Sequence, residues 1–225
     1  MPESVRFSCA PRASVSTPAC FAKSSVTSYL MTDPLAKALN QVTSVLEQLG
    51  VRFAVVGSLA SSAHGAFRAT ADGDILADIR PELAACLASA LGGQWYADAD
   101  AIEQSIRANR SFNLIHLQST QKIDIFPAAS DFHAKQLDRA AKTPVFSGPD
   151  AMQLPVASPE DMILAKIQRF RSGGEVSERQ WNDVVGLLEH NPSLDVSYMR
   201  QWAPRLRVDD LLSKALAGTE GGQRR

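Results

Sequence analysis

The stretch AVVGSLASSAHGAFRATADGDILADI, residues 54–79, carries the decisive pattern. It begins as a buried apolar strand, breaks at Gly57 and Ser58 into small residues that read as a short helix ending at Gly65, and resumes as a second strand, GDILADI. Asp72 and Asp74 stand at the head of that second strand. Side chains alternate along a strand, so the spacing predicts that both aspartates project from one face. An ionised carboxylate in apolar surroundings costs several kcal/mol unless it is paired or bound to a metal, so each of these residues needs a reason.

Further along, SFNLIHLQ and KIDIFPA read as two strands joined by the polar turn STQ, a link short enough to make them antiparallel. Asp124 sits between Ile123 and Ile125 on the second of them. Three carboxylates on neighbouring strands make an oxygen-rich nest for Mg2+, which keeps phosphate oxygens or water as its remaining ligands. The competing assignment has Asp72 ending a turn, Asp74 paired with Arg68, and Asp124 facing solvent from an edge strand. Gly57 and Ser58 favour the first assignment. Where a buried strand gives way to a helix, backbone N–H groups and a hydroxyl are available to a phosphate.

The rest of the chain frames this segment. At 225 residues there is room for one sizeable core or a catalytic domain with a helical appendage. A formal net charge of −1 gives no general attraction to polyanions, so a nucleic-acid partner would need a local cluster of cations. Cys9, Cys20 and Cys86 lack metal-ligand spacing and fit a reducing cytoplasm. No apolar run approaches the length of a membrane span. Residues 1–30 are rich in Ser and Ala, carry one acid, Glu3, and show no periodicity, so a disordered leader is expected there. Their composition loosely suggests an organelle transit peptide. Met31 is nevertheless expected to be the functional start, because Asp33 and Pro34 then open a genuine helix that Gly50 closes. The expected organisation is an α+β core over 31–157, a small mixed sheet with flanking helices, followed by a helical region over 158–225.

That helical region opens with ASPEDMILAKIQRFRSGGEVSERQWNDVVGLLEH, a predicted hairpin capped by Ser158 and turned at Gly173 and Gly174. Lys166 and Asp183 lie at nearly equal distances from the turn, so antiparallel helices bring them together. A solvated surface pair would contribute at most about 1 kcal/mol, but here the flanking residues are apolar. Glu160 and Asp161 are assigned to helix capping. Arg200, Arg205 and Arg207 are read as surface charges rather than an RNA-binding edge.

Together, VVGSLASSAHG…FRATADGDILADI and SPED…K…D resemble the nucleotidyltransferase superfamily, and more closely its branch of abortive-infection, type IV toxin–antitoxin enzymes. The resemblance spans about residues 34–190. It implies Mg2+-dependent transfer of a nucleoside monophosphate from an NTP to a hydroxyl, on an RNA end such as tRNA or on a protein, with an antitoxin protein as partner. An antibiotic-modifying enzyme and a catalytically silent relative are the alternatives. By the same resemblance Gly57 and Ser58 hold the triphosphate, Asp72 and Asp74 bind the metal, and Asp124 is the third carboxylate. Arg68 and Thr70 contact phosphate or brace the loop. Lys166 reaches the nucleotide phosphates with Asp183 as its partner, while His64 has a packing role. Gly73 departs from the apolar residue usual between the two aspartates, and a glycine there signals a bulge or a close approach.

Overall fold

A computed structural model describes residues 31–66 and 69–222. Among the described residues seven strands form one mixed sheet: β1 (Phe53–Val56), β2 (Asp72–Ala77), β3 (Trp95–Tyr96), β4 (Phe112–His116), β5 (Lys122–Pro127), β6 (Ala141–Val145) and β7 (Met152–Val156). Their order across the sheet is β3-β4-β5-β2-β1-β7-β6. β2 runs parallel to β5 and β1 parallel to β7, while the other neighbours are antiparallel. The expected α+β class and the antiparallel pairing of β4 with β5 are what the structure shows.

Helix α1 (Pro34–Gln48) starts where the Asp33 carboxylate accepts from the N–H groups of Leu35 and Ala36. Upstream, Thr32 and Asp33 donate to the Asp150 carboxylate, and the Met31 side chain is buried. The apolar stripe of α1 covers one face of the sheet. Gly73 belongs to that contact: a Cβ there would come within 2.7 Å of Ile123 Cδ1 and 3.5 Å of Leu39 Cδ1. The ladder of β2 with β5 pairs every residue from Asp72 to Ala77 in sequence, so no bulge interrupts it. The glycine marks a close approach of helix to strand.

Helix α2 (Gly57–Ala63) follows β1 directly. Between β2 and β5 the chain crosses through α3 (Ala84–Leu91), the short edge strand β3, α4 (Ala99–Arg107) and β4. Helices α5 (Asp131–Arg139), α6 (Pro159–Ser172), α7 (Glu178–His190), α8 (Val196–Trp202) and α9 (Asp209–Gly222) complete the fold. One continuous hydrophobic core runs from Leu35 on α1 to Ala215 on α9. The helical hairpin therefore packs as part of the same body as the sheet.

A buried polar network fixes α6. Asp161 is wholly inaccessible; its carboxylate accepts from Ser158 Oγ at 3.0 Å, Tyr198 OH at 2.5 Å and Arg139 Nε at 3.3 Å. Arg139 Nη2 also donates to Glu160 at 2.9 Å, and its guanidinium lies over the Tyr198 ring. Burial pushes the Tyr198 hydroxyl up, and the neighbouring Asp161 carboxylate acts in the same direction. The acids of SPED thus join α5, α6 and α8 rather than facing the cleft between the sheet and the helical hairpin.

Candidate active site

Period-two alternation divides the β2–β5 ladder into two faces. Gly73, Ile75, Ile123 and Ile125 turn into the core. On the other face stand three register pairs in succession: Asp72 with Lys122, Asp74 with Asp124, and Leu76 with Phe126. All six side chains line a single cleft of about 920 Å3, whose far wall is built by α6 and α7. The carboxylates therefore do share a face, and Asp124 is on a central strand, not an edge.

Lys122 was not foreseen from the sequence. Its Nζ lies 2.9 Å from Asp124 Oδ2 and 3.6 Å from Asp72 Oδ2. The hydrogen bond to Asp124 raises the lysine's pKa and keeps it charged. The period-two rule contained the signal, because Lys122 precedes Asp124 by two residues on a strand. Asp74 receives less help: burial pushes its carboxyl above the ordinary range, the charge of Asp124 pushes the same way, and Arg169 opposes them. Asp124 Oδ1 is buried without a hydrogen-bond partner among the described residues.

The Gly57 turn presses against this group. Val56 is the register partner of Asp74, and Gly57 has a positive φ of 66°. A Cβ at Gly57 would stand 1.8 Å from Asp74 Oδ2. Only glycine leaves that carboxylate its position. Ser58 lines the cleft beside it. Thr70 braces the approach to β2, its hydroxyl donating to the Asp72 carbonyl at 3.1 Å and accepting from the Asp72 N–H at 3.4 Å. Arg68, expected to assist there, lies outside the described residues, as do residues 1–30. His64 closes α2 as a packing residue: its Nε2 is 2.7 Å from the Ala157 carbonyl, and its own carbonyl accepts from Asn191.

Across the cleft, Lys166 Nζ donates to Asp183 Oδ2 at 3.1 Å, with side chains 15% and 22% exposed. The pair is thus shielded, not a solvated surface bridge. Arg169 follows Lys166 by one helical turn and lines the same cleft, as does Arg179 on α7. Neither arginine was singled out in the sequence, although the i, i+3 spacing of Lys166 and Arg169 places them on one helix face.

The donor set suits a hard divalent cation, which prefers carboxylate oxygens. The orphaned Asp124 Oδ1 is the observation that fits it best, since a buried acceptor without a partner carries a free-energy cost a cation would remove. Among the described residues no three His, Cys, Asp or Glu side chains stand gathered as a ready metal cluster. Lys122 instead balances the charge of Asp72 and Asp124.

No family model and no curated protein matches the chain. Solved structures similar to it include that of ANT(2'')-Ia in complex with adenylyl-2''-tobramycin, at 11% identity over 76% of this chain and 96% of that one, with a TM-score of 0.47. The solution structure of the antibiotic-resistance factor ANT(2'')-Ia is 11% identical over 84% and 96% of the two chains, with a TM-score of 0.43. An antigenic nucleotidyltransferase-like protein from Paracoccidioides brasiliensis is 14% identical over 83% and 94%, with a TM-score of 0.47. Among the described residues no helix is long and apolar enough to cross a membrane.

Proposed function

We propose that this protein is a nucleotidyltransferase that moves a nucleoside monophosphate from an NTP to a hydroxyl acceptor. The observation that carries the reading is the register pairing of Asp74 with Asp124, with Asp72 on the same face and the Gly57–Ser58 turn against them. Mg2+, held by Asp72, Asp74 and Asp124, would supply neutralisation of the phosphate charge when bound.

The chain's own groups account for the remainder. The Gly57–Ser58 turn receives the triphosphate, Thr70 holds the strand entrance, and Lys166 and Arg169 approach the phosphates from the opposite wall. Asp183 keeps the Lys166 ammonium oriented. Asp124 accepts the proton of the acceptor hydroxyl, whose oxygen forms the new bond to the α-phosphorus. The bond from that phosphorus to the β-phosphate bridging oxygen breaks, and pyrophosphate leaves with its electron pair. Positioning and charge neutralisation suffice for such a reaction, which is why the cleft needs no covalent nucleophile.

The acceptor follows the motif resemblance: an RNA end such as tRNA, or a protein hydroxyl, in a cytoplasmic setting with an antitoxin as regulator. A second reading, a silent relative, is favoured by one observation, the Lys122 bridge that already balances two of the carboxylates. Incubation with α-labelled NTPs, Mg2+ and either total tRNA, protein extract or aminoglycosides separates these readings. Label on one acceptor class identifies it. Absence of label from all three, with NTP still bound, supports the silent reading and contradicts the catalytic one.

A further inference from the structure

The cleft is longer than the acid cluster requires, and its other end has a different chemistry. One strand step beyond Asp74 and Asp124 the floor becomes apolar with Leu76 and Phe126, continued by Pro127 and by Met162 of α6. Two polar side chains of α5, His133 and Gln136, line this end. Gln136 is only 3% exposed, and no hydrogen bond joins its amide to any described residue. The amide opens onto the cleft with its donors and acceptor unused by the described residues, available to the polar edge of a ligand. His133 has a fixed role: its Nδ1 accepts from the Ala129 N–H at 3.2 Å, and burial holds the ring neutral, so the proton sits on Nε2 as a donor.

We propose that this end of the cleft is a nucleobase subsite, in which Leu76 and Phe126 support a flat heterocycle and Gln136, with His133, reads its hydrogen-bonding edge. The inference rests on the nucleotidyltransferase reading. Topology separates the base from the acceptor. The triphosphate turn lies on β1, so in-line attack brings the acceptor from across the sheet, past β5 towards β4, where Asn109 and Ser111 form the exposed rim. Leu76 and Phe126 are displaced along the strands, not across them. A ring that is stacked but also hydrogen-bonded can be told from its rivals, because the wrong edge leaves the Gln136 amide unpaired.

Calorimetric titration of the full chain with ATP, GTP, CTP, UTP and inorganic tripolyphosphate, each with Mg2+, tests the assignment. Wild-type protein should prefer one NTP over the weakest by about tenfold or more. In Gln136→Leu that preference should collapse while tripolyphosphate affinity stays unchanged. Gln136→Glu, which keeps an acceptor and removes the donor, reads the same contact should the leucine variant fail to fold. A preference that survives both substitutions, or a wild-type protein that binds all four NTPs equally, overturns the subsite alone. Failure of every NTP to bind the wild type overturns the nucleotidyltransferase reading, and the subsite with it.

Discussion

At the level of single residues, Asp74 is the carboxylate on this face with the least compensation for its burial, since Lys122 pairs with Asp72 and Asp124. Asp74 titrates above the ordinary carboxylate range because it is buried and faces Asp124. A carboxyl whose folded pKa is raised favours the folded state most when protonated, so its contribution is present at low pH and is lost as pH rises through the folded value. Asp74→Asn should therefore raise the melting temperature near neutral pH. That gain should shrink as pH falls and the native carboxyl takes up its proton. The same variant should lose transfer by about 100-fold or more. A melting curve over pH showing no gain at neutrality would contradict the assigned burial cost. Lys122 balances the neighbouring charges, so Lys122→Met should bind Mn2+ more tightly, by about tenfold, as followed by paramagnetic titration. Equal or weaker binding would show that the ammonium does not compete for the cation's place. The aspartates and the Gly57–Ser58 turn were legible in the sequence because each breaks a local rule: charge within an apolar strand, small residues at a strand end. His133 and Gln136 were not, since polar residues on an amphipathic helix break none, and Lys122 was marked only by its two-residue spacing from Asp124.

Among the elements, α6 is the wall that brings Lys166 and Arg169 over the acids, and its placement depends on the buried Arg139–Asp161–Tyr198 group. Burial pushes the Asp161 carboxyl up, against the lowering effect of Tyr198, Ser158 and Arg139. Arg139→Met leaves that carboxylate without its cation and should destabilise the protein by about 3 kcal/mol in denaturant unfolding. A loss under about 1 kcal/mol would mean that the hydroxyls of Tyr198 and Ser158 suffice. The first helix and the hairpin could be read from their caps and glycines, as at Asp33, Ser158 and Gly50. Strand β3 could not, because two residues, Trp95 and Tyr96, carry no period. Gly73 was legible only as an anomaly. Its cause, the close packing of Ile123 and Leu39, is tertiary and invisible in the local sequence.

For the whole molecule, the sheet brings together what the chain separates. β2 and β5 are fifty residues apart in number, yet their parallel pairing places Asp74 beside Asp124 without a register shift. Sequence order identified the acids and the hairpin, but the cleft between sheet and hairpin exists only once both pack on one core. On the proposed function, this acid face holds a divalent cation against a triphosphate. Anomalous diffraction from crystals grown with Mn2+ and a non-hydrolysable NTP tests it most directly. A manganese peak is expected among Asp72, Asp74 and Asp124, with the triphosphate at Gly57 and Ser58 and the Lys122 ammonium moved off the carboxylates. Nucleotide bound elsewhere, with Lys122 still bridging Asp72 and Asp124 and no peak between them, would contradict it.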